Sequence, residues 1–188
     1  QLVESNEFEP DRNRFLYLFF PFLDMISKSP TEFWFVRFSA QNPSSEGFQG
    51  IVYCLKEVLA RSPKNIERRV KSSLQNGRHY LVFFTSHTPA GFSEFSFPGN
   101  HEMQEHHAWI REPFRKRGAG QQLIEKMIEI ARNSGRKLIL FSNQTPLQLV
   151  FFQRLQEKRM RGSIRIAGNN VSISVQLRKK RQLPNRRK

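Results

Sequence analysis

This sequence encodes an α+β domain, and three features point there. Between residues 80 and 110, three short β-favouring runs are separated by turn signals that leave no room for a helix. Amphipathic helical segments stand before and after that group instead of alternating with its strands. A basic, glycine-containing loop then joins the third run to a helix, and the chain later closes on a hairpin.

At 188 residues and 38% hydrophobic, with eighteen phenylalanines, the chain has length for one domain with a real core. It is too apolar to stay disordered despite a formal charge of +15. Cys54 is the only cysteine, which excludes a disulfide framework and a cysteine-rich zinc site. A reducing compartment suits such a chain, so a cytoplasmic location is expected. The longest apolar stretch, 15–23, contains Pro21 and falls far short of the ~20 residues that cross a bilayer, so no membrane span is expected. A chain that opens on Gln1, with no basic stretch ahead of an apolar one, reads as a trimmed or processed start.

Residues 11–27 lean helical and are apolar on most sides, with Pro21 set to kink them. They need a cover, either the main core or a second copy of the chain in a homodimer. Residues 32–40 favour β on both faces, as a central buried strand does. Asn42 and Pro43 signal a helix start, followed by Phe48, Ile51, Val52, Leu55, Val58 and Leu59 at helical spacing. Ser62 and Pro63 repeat the signal, and Ile66, Val70 and Leu74 make a thin stripe on a short basic helix that ends at Gly77.

Strands are predicted at 80–85, 92–97 and 103–110, with turns at Thr88-Pro89-Ala90-Gly91 and Pro98-Gly99-Asn100. A helix over 120–133 ends at Gly135, and the apolar run 137–142 has the character of a buried parallel strand. Pro146 opens a helix that reaches about Glu157, and strands 163–167 and 171–177 flank a Gly168-Asn169-Asn170 turn. The chain thus divides into a helical extension (1–30), a domain (31–177) and a basic tail (178–188).

The loop Arg115-Lys116-Arg117-Gly118-Ala119-Gly120 sits between a strand and an amphipathic helix. That position gathers backbone N–H groups at a helix N-terminus, and glycines clear a path for a close-approaching diphosphate. It has no Gly-Lys-Ser/Thr ending, as a Walker loop would, and no third glycine, as the dinucleotide fingerprint would. It resembles the acyl-coenzyme A loop of the GNAT acetyltransferase family, which runs Gln or Arg, two residues, Gly, one residue, Gly or Ala. Arg115, Gly118 and Gly120 occupy those places. The approach Ile110-Arg111-Glu112-Pro113-Phe114, the segment Ala90-Gly91-Phe92 and the element order from about Thr31 to Leu177 are similar to the family too.

The resemblance implies a mixed, mostly antiparallel seven-stranded sheet with flanking helices, here with an extra N-terminal helix. It implies an N-acetyltransferase that moves acetyl from acetyl-CoA (acetyl-coenzyme A) to an amine by direct attack, without a covalent enzyme intermediate. The pantetheine arm would lie in a splay between strands 103–110 and 137–142, with backbone around Ile110 at the acyl end. Amides of Arg115, Lys116, Arg117, Gly118, Ala119, Gly120 and Gln121 would hold the diphosphate, and Arg115, Lys116 or Arg117 would reach the ribose phosphate. Asn143 and Phe152 stand at cofactor-contacting positions, although Asn143 also reads as a plain turn residue before a helix.

Two positions depart from the family. Where relatives carry a tyrosine that protonates the departing thiolate, this chain has Phe152, and Gln156 to Met160 replace a usual Gly-Phe. Relatives often use a glutamate as base on the strand before the loop, but eleven residues back from Arg115 stands Gln104. Glu102 and His106 share its face by the two-residue period, while Glu105 and His107 point the other way unless a bulge intervenes. His106 is the first choice for a base because its ordinary pKa lies nearest neutral; a half-exposed strand histidine is its other reading. No metal site is expected, since His106 and His107 should face opposite ways and His101 and Glu102 bring no fourth ligand.

Lys64, Arg68, Arg69 and Lys71 line the second helix of the domain, and Arg154, Lys158, Arg159, Arg161 and Arg165 form another cluster. The tail adds Arg178, Lys179, Lys180, Arg181, Arg186, Arg187 and Lys188, and the body is basic without it. Such a surface fits RNA or another acidic partner, hence an RNA-associated acceptor such as an aminoacyl-tRNA or a protein amine; it reads equally as a solvated basic surface beside a cofactor that itself carries several negative charges. The alternative is a catalytically degenerate GNAT-fold protein that keeps the coenzyme A pocket and serves as a nucleic-acid-binding or interaction module.

Overall fold

A computed structural model describes residues 33–59, 62–86, 88–158 and 162–177. The expected N-terminal helix, the basic tail, Arg159 and Arg161 lie outside the described residues.

The elements follow in the order β1 (Trp34–Ser39), α1 (Ser45–Leu59), α2 (Pro63–Gln75), β2 (His79–Thr85), β3 (Thr88–Ser96) and β4 (Glu102–Ile110). After a 3-10 turn at Glu112–Phe114 come α3 (Ala119–Asn133), β5 (Leu138–Phe141), α4 (Pro146–Glu157), β6 (Gly162–Ala167) and β7 (Asn170–Val175). The seven strands form one sheet in the order β1-β2-β3-β4-β5-β7-β6. All neighbours are antiparallel except β4 and β5, as the apolar run at 137–142 foretold.

The alternating pattern of β2 divides the core. Tyr80, Val82 and Phe84 pack with Phe38, Ile51, Leu55, Ile66 and Val70 under α1 and α2. Leu81 and Phe83 join Met103, Leu123, Met127, Ile139, Phe152 and Ile173 under α3 and α4. Among the described residues, no helix is long and apolar enough to cross a membrane.

Two expected boundaries move. The first helix starts at Ser45, where the Ser44 hydroxyl accepts the Gly47 N–H at 3.1 Å, so Ser44 does the capping expected of Asn42. Thr88-Pro89-Ala90-Gly91 is strand, not turn, and the chain reverses near Ser86, which takes a left-handed φ of 54°. The β2–β3 register shifts there: Phe84 faces Pro89 while Phe83 faces Gly91, leaving Ala90 as the extra residue of a bulge. A bulge tolerates a proline that has no N–H to give its neighbour.

A second bulge lies in β4. Glu94 pairs with His107 and Phe95 with Glu105, so His106 is the extra residue. On its other side β4 pairs with β5 from Glu102↔Leu138 to Glu105↔Phe141 and no further, so residues 106–110 stand apart from β5. That is the expected splay.

Candidate active site

The bulge sets which side chains meet. Ahead of it, Met103 lies in the core under α3 and α4, and Glu105 shares its face by the two-residue period. Beyond it, Ala108 and Ile110 face that core, while Trp109 belongs to the core under α1 and α2. His107 shares the face of Trp109, and His106 reaches the same face, where its Nε2 shares a 2.8 Å hydrogen bond with the Ser96 hydroxyl. The two histidines therefore do not face opposite ways, contrary to the simple alternation. Even so, among the described residues no group of three His, Cys, Asp or Glu side chains is placed to hold a metal ion.

Two adjoining cavities open at the splay. One, of about 100 Å³, lies toward α1 and α2 and is bounded by Arg69, Tyr80, Glu94, His106, His107 and Trp109. The other, of about 50 Å³, lies toward α3 and α4 and is walled by Ile110, Gly120, Met127, Phe141, Phe151 and Phe152. Glu105, Ala108, Gln144 and Gln148 belong to both walls. Gln148 is fixed by a capping box, its Oε1 accepting the Thr145 N–H at 2.7 Å while the Thr145 hydroxyl accepts the Gln148 N–H at 3.3 Å. Gln144 donates to the Ser142 carbonyl at 3.0 Å.

Glu105 is 8% exposed. Burial, and then the neighbouring Glu94, push its carboxyl up to about 8. The folded protein thus holds this proton more tightly than the unfolded chain, where the ordinary value is 4.5. The stability from this group is whole below that ordinary value and is lost as pH rises through about 8. Glu105→Gln should therefore flatten the decline of the melting temperature between about pH 5 and about pH 9. A decline of unchanged steepness would mean that water reaches the carboxyl freely.

His106 does line the larger cavity, but its near-neutral titration is not retained. Burial, then the cations of Arg78 and His107, hold it down at about 4, so the ring is neutral at physiological pH. Arg78 donates to the same Ser96 hydroxyl at 3.4 Å and lies 3.9 Å from Glu94. Glu102 and Gln104 are half-buried near the start of β4 and line neither cavity. Cys54 is fully buried, with its thiol pushed up to about 12 by burial, which makes it a core residue and no nucleophile.

The basic loop enters α3 through two left-handed residues, Lys116 (φ 60°) and Gly118 (φ 80°). A Cβ at 118 would meet nothing nearer than Gln122 Nε2 at 3.9 Å, so conformation is what demands glycine there. Gly120 differs: it is buried, and a Cβ would come within 3.2 Å of the Phe151 ring and 3.7 Å of Ile110 Cδ1. Its smallness serves packing at the floor of the apolar cavity. Arg115 Nε donates to the Ile110 carbonyl at 2.9 Å, tying the loop back to the end of β4. Ala119 is buried in the first turn of α3. The Gln121 side chain bridges Glu125 and Lys158 on the surface. Asn143 is exposed at a left-handed φ of 56°, its N–H donating to Asn170 Oδ1 at 3.2 Å, and it lines the larger cavity. Phe152 is buried, its ring centroid 4.9 Å from that of Phe141.

An extended arm fits here: one half of β4 stands free of β5, an apolar cavity lies beside it, and amides of a 15-residue helix open beyond. Sequence reasoning set Glu105 aside as facing away from Gln104, and it did not single out Gln144, Gln148 or Trp109. The capping signature Thr-Pro-Leu-Gln was the available pointer to Gln148.

A family model described as the acetyltransferase (GNAT) family matches residues 52–151. Among solved structures, an aminoglycoside 6'-acetyltransferase type Ii is 13% identical with a TM-score of 0.57, over 78% of this chain and 99% of that one. An acyl-CoA N-acyltransferase from Pseudomonas aeruginosa is 13% identical with a TM-score of 0.54, over 77% and 100%. An acetyltransferase from Thermus thermophilus is 15% identical with a TM-score of 0.51, over 75% and 94%. At these identities the likeness is one of fold. No curated protein matches the sequence significantly.

Proposed function

Because the chain belongs to the GNAT acetyltransferase family, whose members move acetyl from acetyl-coenzyme A to an amine, we propose that its acceptor amine enters the larger cavity and that Glu105 is the base. The observation that carries this reading is the wall the two cavities have in common, with Glu105 in it. An amine on one side of that wall and a thioester on the other would be neighbours, and proximity of this kind supplies much of the rate of a direct transfer. A covalent route finds no support, since the single cysteine is inert in the core.

The pantetheine arm lies along residues 106–110, which have backbone groups on the side where β5 has ended. The diphosphate lies on the amides of Arg115, Lys116, Arg117, Gly118, Ala119, Gly120 and Gln121, at the positive end of α3. Lys116 or Arg117 serves the ribose phosphate, since Arg115 Nε is engaged by Ile110. Phe152 packs at the sulfur end and Asn143 at the mouth of the acceptor side.

The acceptor is RNA-associated in this reading. Arg69 lines the acceptor cavity from α2, which also carries Lys64, Arg68 and Lys71, so a polyanion could lie at its mouth. Release of coenzyme A, followed with a panel of amines, peptides and aminoacyl-tRNAs, tests both levels. Turnover that is strongest with aminoacyl-tRNA and falls steeply with salt is expected. Turnover confined to small amines would remove the RNA-associated acceptor. No turnover with any acceptor, together with tight and salt-sensitive RNA binding, would select the binding-only alternative.

A further inference from the structure

We propose that one carboxyl, Glu105, serves as both the base and the acid of the reaction, taking protons from the acceptor nitrogen and giving one to the departing sulfur. The inference rests on the reading above and extends it to a step for which Phe152 has no proton. Placement carries it. In the apolar cavity, every described lining residue other than Glu105 is Ala, Ile, Gly, Leu, Met, Phe or Gln, so among the described residues Glu105 is its single ionisable side chain. A thiolate formed there has one proton donor in the wall.

The acceptor cavity has five more ionisable groups among the described residues. Glu94 from β3 lies 3.9 Å from Arg78, and His106 is bonded to Ser96 and held neutral. His107 lines the same cavity from beyond the bulge, Arg69 from α2 is a cation, and the buried Tyr80 from β2 has its hydroxyl pKa pushed up. None of these five lines the apolar cavity. The side chains that α3, α4 and β5 turn toward Glu105 there, such as Leu123, Gln148 and Phe141, carry no titratable group.

The balance closes with one carboxyl. Glu105 as carboxylate accepts a proton from the ammonium. The freed nitrogen lone pair forms the N–C bond as the C–S bond breaks and its electron pair remains on sulfur. Glu105 gives its proton to that sulfur, takes the second proton from nitrogen, and releases it to water. One ammonium and one thioester become one amide, one thiol and one solvated proton. A carboxyl that burial has raised to about 8 can serve in both states near neutral pH.

The test uses protein labelled with carbon-13 at the glutamate carboxyls, the Glu105 resonance being the one lost in Glu105→Gln. It is titrated with coenzyme A bound and again with desulfo-coenzyme A, which lacks the sulfur. The Glu105 midpoint should differ between the two complexes while the other glutamates titrate alike. Identical Glu105 midpoints would overturn the proposal, whatever the turnover. In parallel, Glu105→Gln, which keeps the side chain's shape, should bind coenzyme A as the wild type does and lose about 10²- to 10⁴-fold in kcat. A Glu105→Gln enzyme that keeps wild-type kcat would overturn the proposal while acetylation itself stands. If the wild type acetylates nothing, the underlying reading fails, and the two titrations still decide the contact with sulfur.

Discussion

Gly91→Ala is expected to cost about 3 kcal/mol of stability, at the upper end of what overpacking costs. A Cβ at 91 would stand 2.2 Å from the Trp109 carbonyl oxygen, 2.4 Å from Phe83 Cζ and 3.0 Å from Ile110 Cα. Two of those atoms are main chain of β4, so no rotamer change relieves the clash and the two strands must part. The strands part where β4 has already lost β5 as a neighbour, which leaves residues 106–110 with a single pairing partner to lose. Urea unfolding measures the loss, and coenzyme A affinity should fall with it. A variant within about 0.5 kcal/mol of wild type would mean that β3 and β4 are not so closely apposed at this point.

Gly118→Asp should weaken acetyl-coenzyme A binding about a hundredfold, whereas Gly118→Asn should retain most of the affinity. Both residues accept the left-handed conformation that φ of 80° imposes better than other side chains do, and the nearest atom a Cβ there meets is Gln122 Nε2 at 3.9 Å, an ordinary contact. They differ in charge. If the loop amides hold the diphosphate as proposed, a carboxylate set among them opposes like charge at close range, worth roughly 3 kcal/mol, and each ~1.4 kcal/mol is a factor of ten. Calorimetry on the pair, with melting curves to show that both fold, separates charge from conformation. Equal affinities for the two variants would move the diphosphate away from Gly118.

The sequence made most of this architecture legible because helices and strands carry their own periods. The stripes of α1 and α2, the apolar run of β5 and the Thr145-Pro146 start of α4 each follow from local pattern. The segment Thr88-Pro89-Ala90-Gly91 misled because its composition is that of a turn. Its glycine is needed for the approach of β3 to β4, and its proline sits at a bulge. Glu105 was set aside because it faces away from Gln104, and ahead of the bulge that alternation holds. Beyond it the count in twos fails for His107, and a bulge leaves no residue signature from which it can be read. His106 drew attention through its ordinary pKa, yet burial and Arg78 determine its actual one, and both depend on contacts distant in sequence. Gly120 was read as clearing a path for a diphosphate, and a Cβ there would come within 3.2 Å of the Phe151 ring, a contact that no local pattern announces.

The extra residue at His106 also puts the two halves of its strand out of phase. Odd-numbered side chains enter the α3–α4 layer before it, and even-numbered ones after it. Excising His106 would leave an unbroken alternation that keeps Met103, Glu105, Ala108 and Ile110 in the layer they already occupy. The strand therefore absorbs this residue as an insertion without turning either half over, and what its loss would remove is the side chain that meets Ser96.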